Sequence, residues 1–328
     1  MKKYKVLIVP AGSGMAVAAI KSLKKDKKIK IISADKDKLA PGLYLSHQGY
    51  LVPPFSDDLF FPTLKEICRK KKINVILPAL DTILYDFSIK KEEFEKIGVE
   101  VLVSSPETIS ITRDKWKTYL KLREVVSLPL SFLKKEDIDI GFPLIIKPRD
   151  GSGSRDVYKV SNKEELDFFY RRVSNPIIQE YLEGREYTVD CFADRKGSLL
   201  FHISRERMET RAGISVKGKI VKSEALECIA LKVSESIKFC GPFFFQAKED
   251  KNGVPKLTEV NPRISGTMSF SSSTGPNFHS LAVRMLAGEK INVSFKQEKD
   301  EELYVTRYFE DIYVRGEDIK NFLRGISS

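Results

Sequence analysis

The chain has 328 residues, 42% of them hydrophobic, a size that accommodates two domains with a substantial core and excludes global disorder. The net charge of +11 raises the question of nucleic-acid binding, but the excess lysines cluster at the ends of expected helices and no nucleic-acid motif accompanies them. Four cysteines without a C-x-x-C pair and three widely spaced histidines argue against a disulfide framework, a cysteine zinc site and a histidine metal site.

The first hundred residues alternate apolar runs with helical patterns. The runs that predict strands buried on both faces cover 5–10, 29–35, 74–79 and 99–105. The helical patterns between them cover 15–24, 57–72 and 82–97. This alternation predicts a doubly wound parallel sheet, an α/β Rossmann-like domain over residues 1–108, and Pro106 suits the start of the helix that leaves it.

From about residue 128 the pattern changes to an antiparallel one. Runs at 142–148 and 155–160 flank a Gly/Ser loop, which predicts a hairpin. The strands and helices that follow predict an α+β part over residues 109–300. Within it we expect a small lobe at about 125–183 and a larger lobe at 184–300, followed by a C-terminal extension at 301–328.

The two stretches that could suggest membrane insertion do not have the pattern of a signal peptide or of a membrane-spanning helix. The apolar run after Met1 is too short for a signal peptide and continues as a strand. The uncharged stretch 264–283 is rich in Ser, Gly, Pro and Asn, which is typical of a loop. We therefore expect a cytoplasmic protein with no membrane partner and no nucleic-acid partner.

The segment "AGSGMAVA" at 11–18 follows a strand and opens a helix, and Asp35 ends the next strand. This arrangement imitates the fingerprint of a dinucleotide-binding turn. Val17 stands where the third glycine of that fingerprint belongs, and any tight strand-to-helix connection also uses glycine. The sequence favours a structural turn here over a cofactor site.

A second candidate lies at 147–157, "KPRDGSGSRDV". Lys147 ends a strand and supplies a point charge, and the Gly/Ser turn behind it offers backbone N–H groups to phosphates. The turn comprises Gly151, Ser152, Gly153 and Ser154. An ordinary glycine hairpin remains the alternative, because the segment lacks the G-K-[ST] of a Walker loop.

A third candidate lies at 177–190, where a strand ends at an apolar hinge. Gln179, Glu180, Tyr181 and Leu182 offer amide and backbone groups that suit the edge of an adenine ring. Glu186 follows on a turn and is a candidate acceptor for ribose hydroxyls. Surface acids on a turn are the alternative interpretation.

The fourth candidate is "LTEVNPR" at 257–263. Residues two apart on a strand face the same way, so Glu259, Asn261 and Arg263 share a side, while Leu257 breaks the series. Gln246 lies in an apolar run one strand earlier. Oxygen ligands with few carboxylates suit Mg²⁺ bound together with phosphate, and Arg263 suits a transferring phosphoryl group. A surface-facing polar strand edge is the alternative.

These segments follow one another in the order Arg113-Asp114-Lys115, "IIKPRDGSGS", "QEYLEGREYTVD", Gln246 and "EVNPR". Together with "VILPALD" and "SSPETISITRDK" upstream, they resemble the ATP-grasp superfamily. The resemblance is closest to its carbamoyl-phosphate-synthase-like and D-alanine–D-alanine-ligase-like branches and reaches to about residue 290. It implies an α/β Rossmann-like pre-ATP-grasp domain followed by an α+β ATP-grasp fold of two lobes.

The resemblance implies a role for each candidate position. Arg263 and Lys147 would be catalytic, with Arg263 meeting the γ-phosphate and the acyl phosphate. The residues that would bind ATP are Lys115, Lys147, Gly151, Ser152, Gly153, Ser154, Gln179, Glu180, Tyr181, Leu182 and Glu186. The ligands for Mg²⁺, or for Mn²⁺ as a second candidate, would be Gln246, Glu259 and Asn261. Many relatives have a carboxylate where Gln246 stands, whereas the synthase-like branch uses glutamine.

The activity that the resemblance implies is an ATP- and Mg²⁺-dependent, ADP-forming ligase. It would join a small-molecule carboxylate to an amine through an acyl phosphate, and since dimers are frequent among similar proteins, a homodimer is one expectation. The alternatives are an NAD(P)-dependent oxidoreductase that uses the N-terminal domain and a nucleotide-binding protein without catalysis. For four basic residues the sequence leaves two interpretations, substrate binding or an exposed basic strand. These residues are Arg205, Arg207, Arg211 and Lys217.

Overall fold

A parallel sheet forms the N-terminal part of the computed structural model, which describes residues 3–151, 153, 155–293, 295 and 302–319. The sheet has the order β3-β2-β1-β4-β5. Its strands are β1 (Tyr4–Val9), β2 (Ile29–Asp35), β3 (Gln48–Leu51), β4 (Val75–Pro78) and β5 (Glu100–Val101). The doubly wound α/β prediction is confirmed, and the buried strands bring their carboxyl ends to one edge.

Helices connect these strands and lead out of the sheet. They are α1 (Gly14–Leu23), α2 (Pro41–Leu45), α3 (Phe60–Lys71), α4 (Leu84–Ile89), α5 (Lys91–Glu95), α6 (Pro106–Arg113) and α7 (Lys115–Leu122). Ser13 starts α1 as its N-cap and accepts a hydrogen bond from Ala16 N at 3.0 Å. The helix predicted at 82–97 is divided into a 3₁₀ turn (Asp81–Ile83), α4 and α5.

A four-stranded antiparallel sheet with the order β6-β9-β7-β8 forms the small lobe, which we call the lid lobe. It consists of β6 (Ser131–Phe132), β7 (Leu144–Pro148), β8 (Tyr158–Val160), α8 (Lys163–Arg172) and β9 (Pro176–Glu180). The lid lobe has its own hydrophobic core, which includes Leu144, Ile146 and Ile178. The predicted hairpin of β7 and β8 is present, with Leu144 opposite Val160.

A six-stranded antiparallel sheet with the order β14-β13-β10-β11-β12-β15 forms the larger lobe. Its elements are β10 (Glu186–Ala193), β11 (Leu199–Arg211), β12 (Ile214–Val221), α9 (Glu224–Ser236), β13 (Gly241–Glu249), β14 (Pro255–Asn261), α10 (Met268–Ser271), α11 (Phe278–Leu286) and β15 (Tyr304–Thr306). The expected C-terminal extension therefore adds strand β15 to this sheet by pairing with β12.

One hydrophobic core joins the N-terminal sheet to the six-stranded sheet. It contains Val6 of β1 and Ile20 of α1 together with Phe192, Phe201 and Phe278. The lid lobe lies outside this shared core, and a cleft separates it from β13 and β14. Among the helices of the described ranges, none has the length and hydropathy needed to cross a bilayer.

Candidate active site

A β-bulge in β14 turns its polar side chains into the cleft. Gln246 of β13 pairs with Glu259, but the next residue, Ala247, pairs with Leu257, so Thr258 is the extra residue of the bulge. Leu257 therefore points into the buried core although it lies two residues from Glu259. The Thr258 hydroxyl donates to Gln246 O at 3.2 Å and holds the bulge. This explains why Leu257 breaks the polar series.

The same face carries the three predicted metal ligands. Glu259 lies opposite Gln246, and Asn261 lies opposite Phe244, two residues earlier on β13. We call Gln246, Glu259 and Asn261 the oxygen ledge. Its one carboxylate and two amide oxygens fit a hard cation that also takes phosphate oxygens. No cluster of three or more His, Cys, Asp or Glu side chains able to hold a metal occurs in the part of the chain that the structure describes.

Lys147 faces the oxygen ledge from the lid lobe. It is the fourth residue of β7 and lines a cleft of about 220 Å³ together with Lys115, Glu186, Gln246 and Glu259. Removal from water and the neighbouring Lys115 lower the pKa of Lys147 to about 8, while Glu259 and Glu186 act in the opposite direction. An anion beside this lysine would raise its pKa again, because a negative charge stabilises the protonated form.

Lys115 is bonded to the loop after β7 that contains Gly151 and Gly153, which we call the glycine loop. Its ammonium group donates to Gly151 O at 2.7 Å, and its backbone N–H donates to Arg149 O at 3.0 Å. Asp114, the N-cap of α7, accepts from Trp116 N and also pairs with Arg149 Nη2 at 2.5 Å. The start of α7 and the loop of the lid lobe are therefore joined by several polar contacts.

The glycine loop is shaped by two glycines. A Cβ at Gly151 would lie 3.1 Å from Pro148 Cβ, and Gly153 has φ +68°, a left-handed value that other residues rarely adopt. Both glycines line the cleft, as does Arg155 after them. The predicted phosphate contacts Ser152 and Ser154 lie outside the described residues.

The predicted adenine segment, 179–182, lies at the end of β9 and lines the same cleft. Gln179 donates its side-chain amide to Ser131 Oγ at 2.8 Å, and Glu180 pairs with Lys256 Nζ at 2.7 Å. These polar side chains are engaged within the protein, so the groups that the segment offers to a base are those of its backbone. Leu182 is buried and closes the end of the cleft.

Tyr181 lies between two lysines at the rim of the cleft. Lys159 Nζ is 4.1 Å and Lys248 Nζ is 5.5 Å from the centre of its ring. Lys248 follows Gln246 on the same face of β13, so strand alternation could have identified it as a cleft residue. Arg155 and Lys248 were both missed by the sequence analysis.

Glu186 lies between two cavities. It lines the cleft described above and also a second pocket of about 310 Å³, which the three residues of the oxygen ledge line as well and which we call the acceptor pocket. Its carboxylate pairs with Arg207 Nε at 2.8 Å. Burial lowers the pKa of Arg207, and Glu186 acts against that effect. The predicted ribose-binding acid is therefore also a neighbour of the acceptor pocket.

Arg263 is held by an acid of the N-terminal part. Its Nη2 contacts Asp81 Oδ2 at 2.7 Å, its Nε contacts Asp81 Oδ1, and its Cζ lies 5.1 Å from the ring centre of Phe244. Asp81 belongs to the segment "VILPALD" but had no assigned role. Nothing in the sequence pairs positions 182 residues apart, so only the fold identifies this contact.

The four basic residues left open by the sequence divide into two pairs. Arg205 and Arg207 line the acceptor pocket. Arg211 and Lys217 instead contact Glu209, at 3.1 Å and 2.7 Å, and are largely exposed. They do not line that pocket, and the exposed basic strand is the interpretation that fits them.

The turn after β1 is held by the carboxylate of Asp35 at the end of β2. Gly12 N and Asp37 N both donate to the carboxylate of Asp35, at 2.7 and 2.9 Å, and Asp35 is buried. An acid in this state stabilises two loops and does not face a ribose. The structural interpretation of "AGSGMAVA" agrees with this geometry.

Two family models match the chain. One is described as ATP-grasp in the biosynthetic pathway with Ter operon and matches residues 172–309, and the other is described as PylC-like, N-terminal domain and matches residues 6–102. Among curated proteins, the carbamoyl-phosphate synthase of Methanobrevibacter smithii is 24% identical over 85% of this chain and 80% of its own length. The carbamoyl phosphate synthase large chain of Caldanaerobacter subterraneus subsp. tengcongensis is 26% identical over 61% of this chain, but the match spans only 21% of that protein.

Solved structures share the fold. The biotin carboxylase domain dimer of Hydrogenobacter thermophilus 2-oxoglutarate carboxylase, in complex with MgADP, ADP and bicarbonate, has a TM-score of 0.74 at 18% identity, covering 90% of this chain and 72% of that one. N5-carboxyaminoimidazole synthetase from Staphylococcus aureus, complexed with ADP, has a TM-score of 0.71 at 19% identity, covering 89% and 79%. At these identities the likeness shows the fold.

Proposed function

We propose that this chain is an ADP-forming ligase of the ATP-grasp kind that joins a carboxylate to an amine, because an ATP-grasp model matches residues 172–309 and a PylC-like N-terminal model matches residues 6–102. ATP-grasp proteins are ligases of this kind, and two of the structural neighbours are complexed with ADP, one of them with MgADP as well. The substrates proposed here are a small-molecule acid and a small-molecule amine.

One observation carries the proposal: the bulged pair of Gln246 and Glu259 faces Lys147 across the cleft. An oxygen ledge on one side and a lysine on the other bracket the space where a triphosphate would lie. Burying such groups without a ligand is unfavourable, because each loses water without gaining a partner. A nucleotide with its bound cation satisfies both sides.

The proposed reaction begins with the acid. Its carboxylate oxygen attacks the γ-phosphorus of ATP, the bond from that phosphorus to the bridging oxygen breaks, and ADP leaves with the bonding electrons. The amine then attacks the acyl carbon, loses a proton, and displaces inorganic phosphate. Arg263 and Lys147 neutralise the transferring phosphoryl group, and the chain needs no covalent nucleophile of its own.

The oxygen ledge would hold Mg²⁺ through Gln246, Glu259 and Asn261. A divalent cation held by these three side chains would supply positive charge beside the phosphates, which would reduce their repulsion of the incoming carboxylate. The backbone of 179–182 would orient the base, and Glu186 would orient the ribose. The glycine loop, held by Lys115, would exclude water from the phosphates.

No observation favours the alternative functions. The buried Asp35 is engaged by Gly12 N and Asp37 N, which leaves a nicotinamide dinucleotide without its expected ribose acceptor. A nucleotide-binding protein without catalysis would need a missing group, whereas each expected position that the structure describes carries a suitable residue. We therefore retain the ligase as the single proposal.

The test is release of ADP and phosphate over a panel of amino acids and small carboxylic acids. We expect acid-dependent ADP release in the wild type and a decrease of about 10²–10³-fold in both Glu259→Gln and Arg263→Ala, because each removes a group that acts on the transferring phosphoryl. Lys217→Ala, an exposed residue outside both cavities, is the control and should match the wild type. Wild-type rates in both site variants would contradict the site assignment.

A further inference from the structure

The acceptor pocket contains a buried guanidinium with an unused donor. Arg205 of β11 is 1% exposed and lines the pocket. Its Nε donates to Asp190 at 2.9 Å and its Nη2 donates to Thr267 Oγ1 at 2.6 Å. Its Nη1 has no hydrogen-bond partner among the described residues. A buried N–H group without an acceptor is unfavourable, so this atom points to an acceptor that comes from outside the protein.

Arg205 is fixed in place before any ligand arrives. Asp190, which is fully buried, also accepts from Ser265 Oγ at 3.1 Å and from Ser271 Oγ at 2.6 Å. The Arg205 side chain is thus held by β10 on one side and by the segment after β14 on the other. A group held in this way recognises a partner of fixed position, because it cannot move to follow a different one.

Two further guanidinium groups lie near this donor. Arg207 and Arg307 both have a pKa lowered first by burial and then by Arg205, which means that the three guanidinium groups lie close together. The paired carboxylates are those of Asp190 and Glu186. The lining of the pocket also carries Arg263, Asp81 and Glu259, so its charges are nearly balanced, and the anion site depends on the unpaired donor of Arg205 and not on an excess of positive charge.

Arg205 and the oxygen ledge are carried by strands at different places in the sheet. In the sheet, β11 is separated from β14 by β10 and β13, and three steps between neighbouring strands amount to roughly 14 Å. The reacting carboxylate has to lie at the γ-phosphate, beside the ledge and Arg263. Arg205 is therefore placed to contact a different group of the same substrate, with a spacer of several atoms between the two.

We propose that the acceptor pocket selects acids that carry a second anionic group, a carboxylate or a phosphate, and that Arg205 Nη1 binds this group. The inference rests on the proposed ligase function, since it identifies the substrate class of the same site. Thr267 and Arg207 complete the anion site, the former by orienting Arg205 and the latter by its charge.

The experiment compares matched acids that differ only in the distal group. The probes are butanoate, succinate and 3-phosphonopropanoate, and then hexanoate, adipate and 5-phosphonopentanoate, each with ATP, Mg²⁺ and hydroxylamine as the amine. ADP release and the thermal shift of the protein with MgADP are both measured. We expect at least a tenfold lower KM and a larger thermal shift for the dianionic members, and the two dianions of each set distinguish carboxylate from phosphate.

The variant is Arg205→Lys, which keeps the charge opposite Asp190 but lacks the free planar donor. We expect it to lose roughly 10- to 100-fold of the preference for dianionic acids, as loss of a charged hydrogen bond would produce, with the KM for ATP unchanged. Thr267→Val, which releases Nη2 without touching the charge pair, should lose part of the preference. A folded variant is recognised by an unchanged thermal shift with MgADP alone.

The outcomes separate the inference from the proposed function. Equal ADP release from monoanionic and dianionic acids overturns the inference and leaves the ligase proposal standing. Absence of ADP release with every acid, together with a thermal shift for dianionic acids that Arg205→Lys abolishes, supports the anion site and contradicts the ligase proposal. Equal thermal shifts for all acids without turnover overturn both.

Discussion

Each arginine of the acceptor pocket has its own acid. Arg263 pairs with Asp81, Arg207 with Glu186, and Arg205 with Asp190. Because each acid neutralises its arginine, the protein can bury three guanidinium groups in one region without a ligand. If Glu186 binds the ribose as we propose, it gives up part of its contact with Arg207, and we therefore expect binding at the two cavities to be coupled through Glu186.

Lys147 determines how nucleotide affinity depends on pH. Its pKa of about 8 in the free protein means that half of the molecules lose this positive charge near pH 8, while bound phosphate raises the pKa again. Affinity for ADP should therefore be highest below pH 8 and fall by up to about tenfold per pH unit above it.

This prediction is measured by ADP titration in a metal-free buffer from pH 6.5 to 9.5. The matched variant is Lys147→Arg, whose guanidinium stays charged over the whole range and should show a flat profile. The same fall in affinity in both proteins would assign the pH dependence to another group.

At the scale of single residues, the sequence identified which side chains converge but not which side chains they pair with. Strand alternation placed Glu259 and Asn261 on one face, and that prediction agrees with the register. The bulge at Thr258 leaves one mark in the sequence, the apolar Leu257 in an otherwise polar series, but this mark alone does not identify a bulge. Asp81 was missed because its partner Arg263 is 182 residues away, and Asp190 was missed because the register that brings it beside Arg205 on the neighbouring strand cannot be read from the sequence.

At the scale of elements, apolar runs located the central strands and failed at the edges. β1 and β2 were predicted to within one residue, whereas the run at 99–105 yields only the two residues of β5. β3 and α2 were missed because they are short and half-buried, so they lack both periodicity and length. Such edges are defined by tertiary packing, which a local pattern does not contain.

The start of α7 supplies a test at this scale. Asp114 ends α6, caps α7 and holds Arg149, so Asp114→Ala should lower the free energy of unfolding by about 1–2 kcal/mol and weaken ADP binding through Lys115. Asp114→Asn keeps a capping oxygen and should retain most of the stability while losing the ion pair. Urea midpoints and ADP titrations check both. Equal losses of unfolding free energy in the two variants would show that the capping oxygen of residue 114 does not contribute to stability.

For the whole molecule, the shared core makes the N-terminal sheet and the six-stranded sheet one cooperative unit. Phe278 is fully buried, and its ring centre lies 4.9 Å from that of Phe201 and 6.3 Å from that of Phe192. Composition predicted enough apolar residues for two domains, but it could not show that they share a core, because sharing depends on which faces meet.

Phe278→Ala should therefore lower the free energy of unfolding by about 3–5 kcal/mol, through lost burial and the cavity left behind. Urea unfolding is followed by far-UV circular dichroism and by the fluorescence of Trp116, the only tryptophan of the chain. Both signals should shift together. Phe168→Ala on the exposed face of α8 is the control and should stay within about 0.5 kcal/mol. Separate transitions for the two signals would contradict a common core.

The separate core of the lid lobe has a mechanical consequence. Lys147 and the backbone of 179–182 belong to one packed body, and Glu259 belongs to another. A nucleotide bound between them would contact both bodies at once. Its affinity would then depend on the distance between the two bodies as much as on any single contact. Substitutions far from the cleft that alter this distance would then change affinity without touching the nucleotide.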